Sequence, residues 1–225
     1  MRTMRRRKPR PAIVEPQPAL DSREIDDGVN AMFAHIPAKL EAAAAAFLTG
    51  DREAARRLVE TDPTIDALQD DIEELVQTEL SRQPLSPDDL RYLVTVLRIV
   101  PELERSADLV EHIALRAQHA LSDRLSPRAR GLIDRMGVVA VNMWSEAAVA
   151  YRHRDASTLA MLRESDDELD DLHVQLTGHL ANEPLDASVA IELGLVARFF
   201  ERLGDHAVNV VGRLAYIDEQ RVVAS

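Results

Sequence analysis

Two pairs of acidic residues, each set four apart, carry the first chemical signal in this chain. Glu104 and Asp108 form one pair, and Glu201 and Asp205 the other, each late in a long stretch of helical pattern. On a helix, residues i and i+4 share a face, so each pair presents two carboxylates side by side. Like charges so placed oppose helix formation by roughly 0.2–0.5 kcal/mol. The rows that hold them are otherwise largely small or apolar: Ala190, Gly194, Ala197, Glu201, Gly204, Val208 and Val211 in one, Leu93, Leu97, Val100, Glu104, Ala107 and Glu111 in the other. A carboxylate facing a helix seam is costly unless it is paired or holds a cation. Asp62 with Asp66, and Asp166 with Asp170, supply further pairs at the same spacing on the preceding helices, and His112 and Asn209 extend the two rows by one turn. Carboxylates with an optional imidazole suit Mg, Mn, Fe or Zn. Several carboxylates per site suggest a multinuclear centre. The plainer reading is that Arg105 and Arg202 neutralise the acids and that the remainder are solvated faces.

The acids recur in register. Met32 matches Met136, Asp51 matches Asp155, Asp62 matches Asp166, Asp66 matches Asp170 and Leu68 matches Leu172, all at a spacing of 104. The spacing falls to 97 at Glu104 and Glu201, so the second copy has lost about seven residues in between. A repeat of this length means two copies of one supersecondary unit. The organisation expected is a basic, proline-rich flexible arm at 1–21, a first three-helix repeat at 22–122 and a second at 123–225.

Composition bounds the chemistry. The chain of 225 residues has no cysteine, which excludes disulfides, thiolate metal sites and a cysteine nucleophile. Any metal is then held by oxygen or imidazole. Net charge is −12, and residues 1–10 carry six Lys or Arg and no acid, leaving −18 on the rest. An acidic body disfavours nucleic acid as a ligand and leaves cations or a basic partner surface. The longest clean apolar run, Ala42 to Leu48, is too short to span a bilayer, and no apolar stretch follows the basic start as a secretory signal requires. A cytoplasmic location is the expectation. No histidine has Glu three residues before it, and no glycine-rich phosphate loop, Ser-His-Asp set or zinc-protease motif is present. His173 and His206, close to Asp170 and Asp205, are the two histidines placed to support the acids; Trp144, Phe199 and Phe200 read as packing residues.

Scarce glycine and abundant Ala, Leu, Glu and Arg favour helix. Six long helices are expected, three per repeat: Ser22–Leu48, Asp51–Arg82, Ser86–Leu121, Ser126–Arg154, Asp155–Leu180 and Asp186–Asp218. Gly50 closes the first, and Ser86-Pro87 and Ser126-Pro127 are start signals with proline at the first helical position. Pro37 and Pro101 fall inside helices, where an uncompensated proline costs about 3 kcal/mol. The fold class expected is all-α, as two tandem three-helix bundles with short loops.

The segments LRIVPELERSADLVEHIA and LVARFFERLGDHAVNVVGRLAYI resemble the two signature segments of the PhoU family of phosphate-uptake regulators. ESDDELDDLHVQL looks like that family's second-helix motif, and QPLSPDDLR like its turn between helices 2 and 3. The likeness covers about residues 26–218. It implies two three-helix bundles side by side, with metal clusters held by carboxylates that map here to Glu104, Asp108, Glu201 and Asp205, with Asp62, Asp66, Asp166 and Asp170. It implies a non-enzymatic regulator of phosphate import and the phosphate-starvation response. The partners implied are a sensor histidine kinase and the ATPase subunit of the phosphate ABC transporter, with membrane association only through them. Three positions depart from the family pattern: Ala107 where Gly is usual, Pro101, and the basic arm at the start of helix 1. A carboxylate-bridged metal-dependent hydrolase or oxidase is the alternative, and a helix face leaves room for a homodimer.

Overall fold

A computed structural model describes residues 20–60, 64–82, 85–119 and 121–223, with side chains as far as Leu214. The arm expected at 1–21 lies outside the described residues up to position 19, and so does Asp62. The helices are α1 (Arg23–Thr49), α2 (Arg52–Glu60), α3 (Thr64–Ser81), α4 (Pro87–Ala117), α5 (Pro127–His153), α6 (Leu159–Leu180) and α7 (Ala187–Val223), with a 3-10 turn at Leu121–Arg124. The second helix expected from sequence is thus described in two pieces, α2 and α3. Among the described residues there is no strand.

The punctuation read from sequence works as chemistry in most places. Ser86 Oγ accepts from the Asp89 amide at 3.1 Å, and Ser126 Oγ from the Ala129 amide at 3.2 Å, each just ahead of a proline. Such caps satisfy one of the orphan amides of a first helical turn. Asp51 caps α2 through the Ala54 amide at 2.9 Å. Gly50 ends α1 in the left-handed region, φ 73°, and a Cβ there would meet Ser122 Oγ. One cap differs from expectation. Asp155 binds the Ser157 amide and hydroxyl in a local turn, and α6 begins four residues later, at Leu159. This is the usual competition between an Asp side chain and helix initiation.

Helices α1, α3 and α4 pack as one bundle, with α2 alongside, and α5, α6 and α7 as the other. The two bundles join through α1 against α5 and α4 against α7. One apolar core runs through both. Its centre holds Phe33, Trp144 and Tyr151, with ring centroids 5.2 Å apart for Phe33 and Tyr151. By length and composition α1 would suffice to cross a bilayer, but Ile25, Val29, Met32, Phe33, Ile36 and Leu40 are all buried in this core. Helices α1 and α4 run through Pro37 and Pro101 without a break in assignment.

Candidate metal centre

The two acidic sets lie at equivalent seams, α3 against α4 and α6 against α7. Their surroundings differ. In the second repeat Glu201 is buried at 8 % exposure, Asp166 is half-buried, and Asp170 and Asp205 are exposed. In the first repeat Glu104 is half-buried, while Asp66 and Asp108 are exposed. The acids of each set feel one another. Burial pushes the Asp166 carboxyl up to about 6, and the charges of Asp205, Asp170 and Glu201 push the same way. Glu201 is raised by burial and by Asp205 and Asp170, against the opposing pull of Arg198. Glu104 is raised by burial, then by Asp108 and Asp66. These are the directions expected when like charges are gathered at a partly dry seam.

Gly204 lets α6 side chains lie directly against the α7 backbone. A Cβ built on it would stand 2.5 Å from Asp166 Oδ1 and 2.7 Å from Leu169 Cδ1. The Asp166 carboxylate therefore rests directly against the α7 backbone, an approach that only glycine permits. Ala107 holds the equivalent place in α4 and is buried there. On the opposite side of α7, Trp144 Nε1 donates to the Leu203 carbonyl at 3.1 Å from a fully buried position. This contact from α5 anchors the turn that carries Glu201 and Asp205.

The arginines follow the sequence expectation only in part: the charge of Arg105 pulls the Glu104 carboxyl down against its burial. Arg105 lies 3.8 Å from Glu102, and Glu201 is bonded through Oε1 by Arg198, one turn before it. The other oxygen, Glu201 Oε2, is buried and has no hydrogen-bond partner. Arg198 is a site residue absent from the sequence expectation, although its i−3 spacing places it on the same face of α7 as Glu201. Of the supporting histidines, His173 is held below its usual range by burial and by Arg198. His206 turns away from Asp205 and meets Glu102 Oε2 through Nδ1 at 2.5 Å. His112 leaves the acid row and stacks on Phe199 at 5.5 Å.

Glu102 is the buried acid that the periodic rows overlooked. It sits two residues before Glu104, and it also accepts from Arg213 Nη2 at 3.0 Å. This cluster bridges α4 and α7 between the repeats. Arg116 and Arg213 are equivalent positions, as are Glu102 and Phe199. Arg213 reaches Glu102 across the seam, and Arg116 lies 4.9 Å over the Phe199 ring while its Nε stands 3.3 Å from Glu192 Oε2.

The donor set is all oxygen, suited to hard or borderline cations. Glu201 Oε2 and the crowded Asp166 carboxylate are the groups a cation would relieve. Among the described residues, no three Asp, Glu or His side chains stand close enough to close around one ion as they are placed. Binding would therefore require side-chain rotation by the exposed acids Asp170 and Asp205.

Comparison with known proteins matches this architecture. The PhoU domain model matches residues 29–117 and again 133–214. The phosphate-specific transport system accessory protein PhoU homolog 2 of Mycobacterium tuberculosis is 32 % identical over 184 residues, 79 % of this chain and 84 % of that protein. The PhoU homolog of Zymomonas mobilis is 32 % identical over 170 residues, 73 % of this chain and 71 % of that protein. The crystal structure of PhoU from Pseudomonas aeruginosa superposes with a TM-score of 0.82 at 24 % identity, covering 88 % of this chain and 97 % of that one. PhoU from Streptococcus pneumoniae gives 0.79 at 21 % identity, covering 87 % and 94 %. With the domain matched twice, once on each three-helix bundle, the chain belongs to the PhoU family.

Proposed function

We propose that this protein is a cytoplasmic, metal-binding helical adaptor that restrains phosphate uptake and the phosphate-starvation response. In this reading it acts without catalysis, between the phosphate ABC transporter and its sensor histidine kinase. Relatives named as phosphate-specific transport system accessory proteins support the phosphate-transport role.

The observation that carries the metal part is the α6–α7 seam. There Glu201 Oε2 is buried without a partner and Asp166 is crowded among like charges against Gly204. Burying carboxylates this way is unfavourable unless opposite charge compensates. A bound Fe, Zn, Mn or Mg ion would supply that charge and cross-link α6 to α7. In the first repeat Glu104, Asp108 and Asp66 are the corresponding donors. Asp62 is the further donor that the family resemblance adds. The ion would stiffen the seam, and the rigid helices would present a partner surface that needs no catalytic group.

Two measurements test this. Elemental analysis of protein purified without chelator should find metal in the wild type and a reduced content in Glu104→Gln/Glu201→Gln. Equal metal content, or none in either, overturns the metal part. Deleting the gene should derepress phosphate-starvation genes in phosphate-rich medium, and unchanged expression overturns the regulatory part.

A further inference from the structure

The outer seam between α1 and α5 carries two cavities of about 320 Å³ each, lined among the described residues by these two helices alone. They are mates under the internal repeat. Adding 104 to Ala34, Pro37 or Ala45 gives Val138, Val141 or Val149, and each such pair has one member in either cavity. Along α1 the lining recurs after eleven positions: Phe33 and Ala44, Ala34 and Ala45, Pro37 and Leu48. Val138 and Val149 stand on the outer wall, 45 % and 37 % exposed.

The spacing selects the kind of chain that fills both cavities. Eleven residues are close to three turns, about 16 Å along a helix axis. A helix laid along the groove presents its residues i and i+11 on one face, about 20° apart. A strand covers about 16 Å in roughly five residues, which turns the second side chain to the opposite side. The small residues in the lining, Ala44, Ala45, Gly137 and Ala148, let a helix come close. The shape repeats, but the charge does not. Glu41 and Asp134 line one cavity, whereas their equivalents, Ser145 and Asn30, line the other, and Arg152 there stands in place of Leu48. Arg130, at the opening beyond Leu48, is bound to the Leu48 and Ser122 carbonyls. The two-fold shape alone accepts a helix in either direction; the charges accept one.

We propose that the α1–α5 groove docks an amphipathic helix of a partner protein, with apolar anchors at i and i+11, a basic residue beside one and an acidic residue beside the other. The basic residue faces Glu41 and Asp134, and the acidic residue faces Arg152. The anchors supply affinity, as in other helix-in-groove contacts, and the charges set direction. This names the partner surface of the adaptor role proposed above and rests on that reading for its consequence in the cell.

The probe is a fluorescein-labelled helical peptide with leucines at i, i+4, i+7 and i+11, lysines beside the first and glutamates beside the last. Its anisotropy with the full-length protein should show binding about tenfold tighter than that of a peptide with the lysines and glutamates exchanged. Val138→Arg/Val149→Arg should weaken binding by about tenfold or more with unchanged circular dichroism. Glu41→Lys/Asp134→Lys/Arg152→Glu should reverse the preference between the two peptides. No binding, equal binding of the two peptides, or binding untouched by the arginine variant overturns the proposal. So does sedimentation that finds a wild-type dimer dissociated by the arginine variant, since a second copy would then own the groove. In cells, Val138→Arg/Val149→Arg should derepress phosphate-starvation genes in phosphate-rich medium at unchanged metal content. Full repression by this variant where the gene deletion derepresses overturns the docking site and leaves the regulatory reading standing. No derepression in either overturns the regulatory reading, and the peptides then decide the groove.

Discussion

Asp26 and Arg130 occupy equivalent positions of the two repeats, 104 apart, and clamp opposite ends of the molecule with opposite charge. Asp26, near the start of α1, accepts from Arg154 at 2.8 Å, from Tyr92 at 2.9 Å and from Tyr151 at 2.8 Å. Arg154 ends α5 in the left-handed region, φ 53°, and lies 4.4 Å over the Tyr92 ring. At the other end Arg130, near the start of α5, donates to the Leu48 and Ser122 carbonyls beside Gly50. Gly50 and Arg154 are again 104 apart, and both are left-handed caps. The pseudo-symmetry of the fold thus survives where the side-chain chemistry has diverged.

The Asp26 clamp is the more costly to break. Asp26→Ala leaves two buried tyrosine hydroxyls and a half-buried guanidinium without their acceptor, and should destabilise by about 2–4 kcal/mol. Arg130→Ala removes bonds to two carbonyls at a more open end and should cost about 1 kcal/mol. Urea denaturation of both variants checks the order.

Gly204→Ala should harm the second seam. Its new methyl would meet both Asp166 and Leu169, and overpacking of this kind costs about 1–3 kcal/mol. The reverse change, Ala107→Gly, has no such clash and should cost only about 1 kcal/mol through helix propensity. Thermal denaturation in chelator separates the two, since any metal contribution is then removed.

Stability should rise as pH falls from 7.5 toward 5. Asp166, Glu104 and Glu201 are all raised in the folded chain. Between the unfolded and folded values the native state binds more protons, so stability is lost as pH rises through that window. For Asp166 the window runs from 3.8 to about 6. Asp166→Asn should therefore stabilise metal-free protein at pH 7.5 by about 1 kcal/mol after solvent screening, and the gain should vanish near pH 4. A gain that persists at pH 4 would point to packing rather than charge.

Glu102→Ala should cost about 2–4 kcal/mol, because His206 and Arg213 lose a buried acceptor. Glu102→Gln, which keeps an acceptor oxygen, should cost less. Denaturant midpoints of the pair read the difference directly.

Periodicity and start signals made the bundle legible. Ser86-Pro87 and Ser126-Pro127 announce helices through local chemistry, and the spacing of Asp66/Asp170 and Glu104/Glu201 exposes the duplication. The acid pairs were legible for the same reason, since i and i+4 share a face in any helix. The Asp155 cap misled because Asp can close a short turn on its own Ser157 before a helix begins. Glu102 escaped because it looked like one more acid beside Glu104, and nothing local marks its side chain as facing α7. His112 and His206 likewise chose their partners across the α4–α7 seam, whereas Arg198 answers Glu201 within α7.

Sequence alone therefore determined the helices, their duplication and the family, because those depend on neighbours within about one helical turn and on order along the chain. The tertiary structure decided which acids are dry and which arginine answers them. Burial and pairing depend on the approach of helices distant in sequence. At Gly204 the missing methyl leaves room for Asp166 and Leu169 against the α7 backbone.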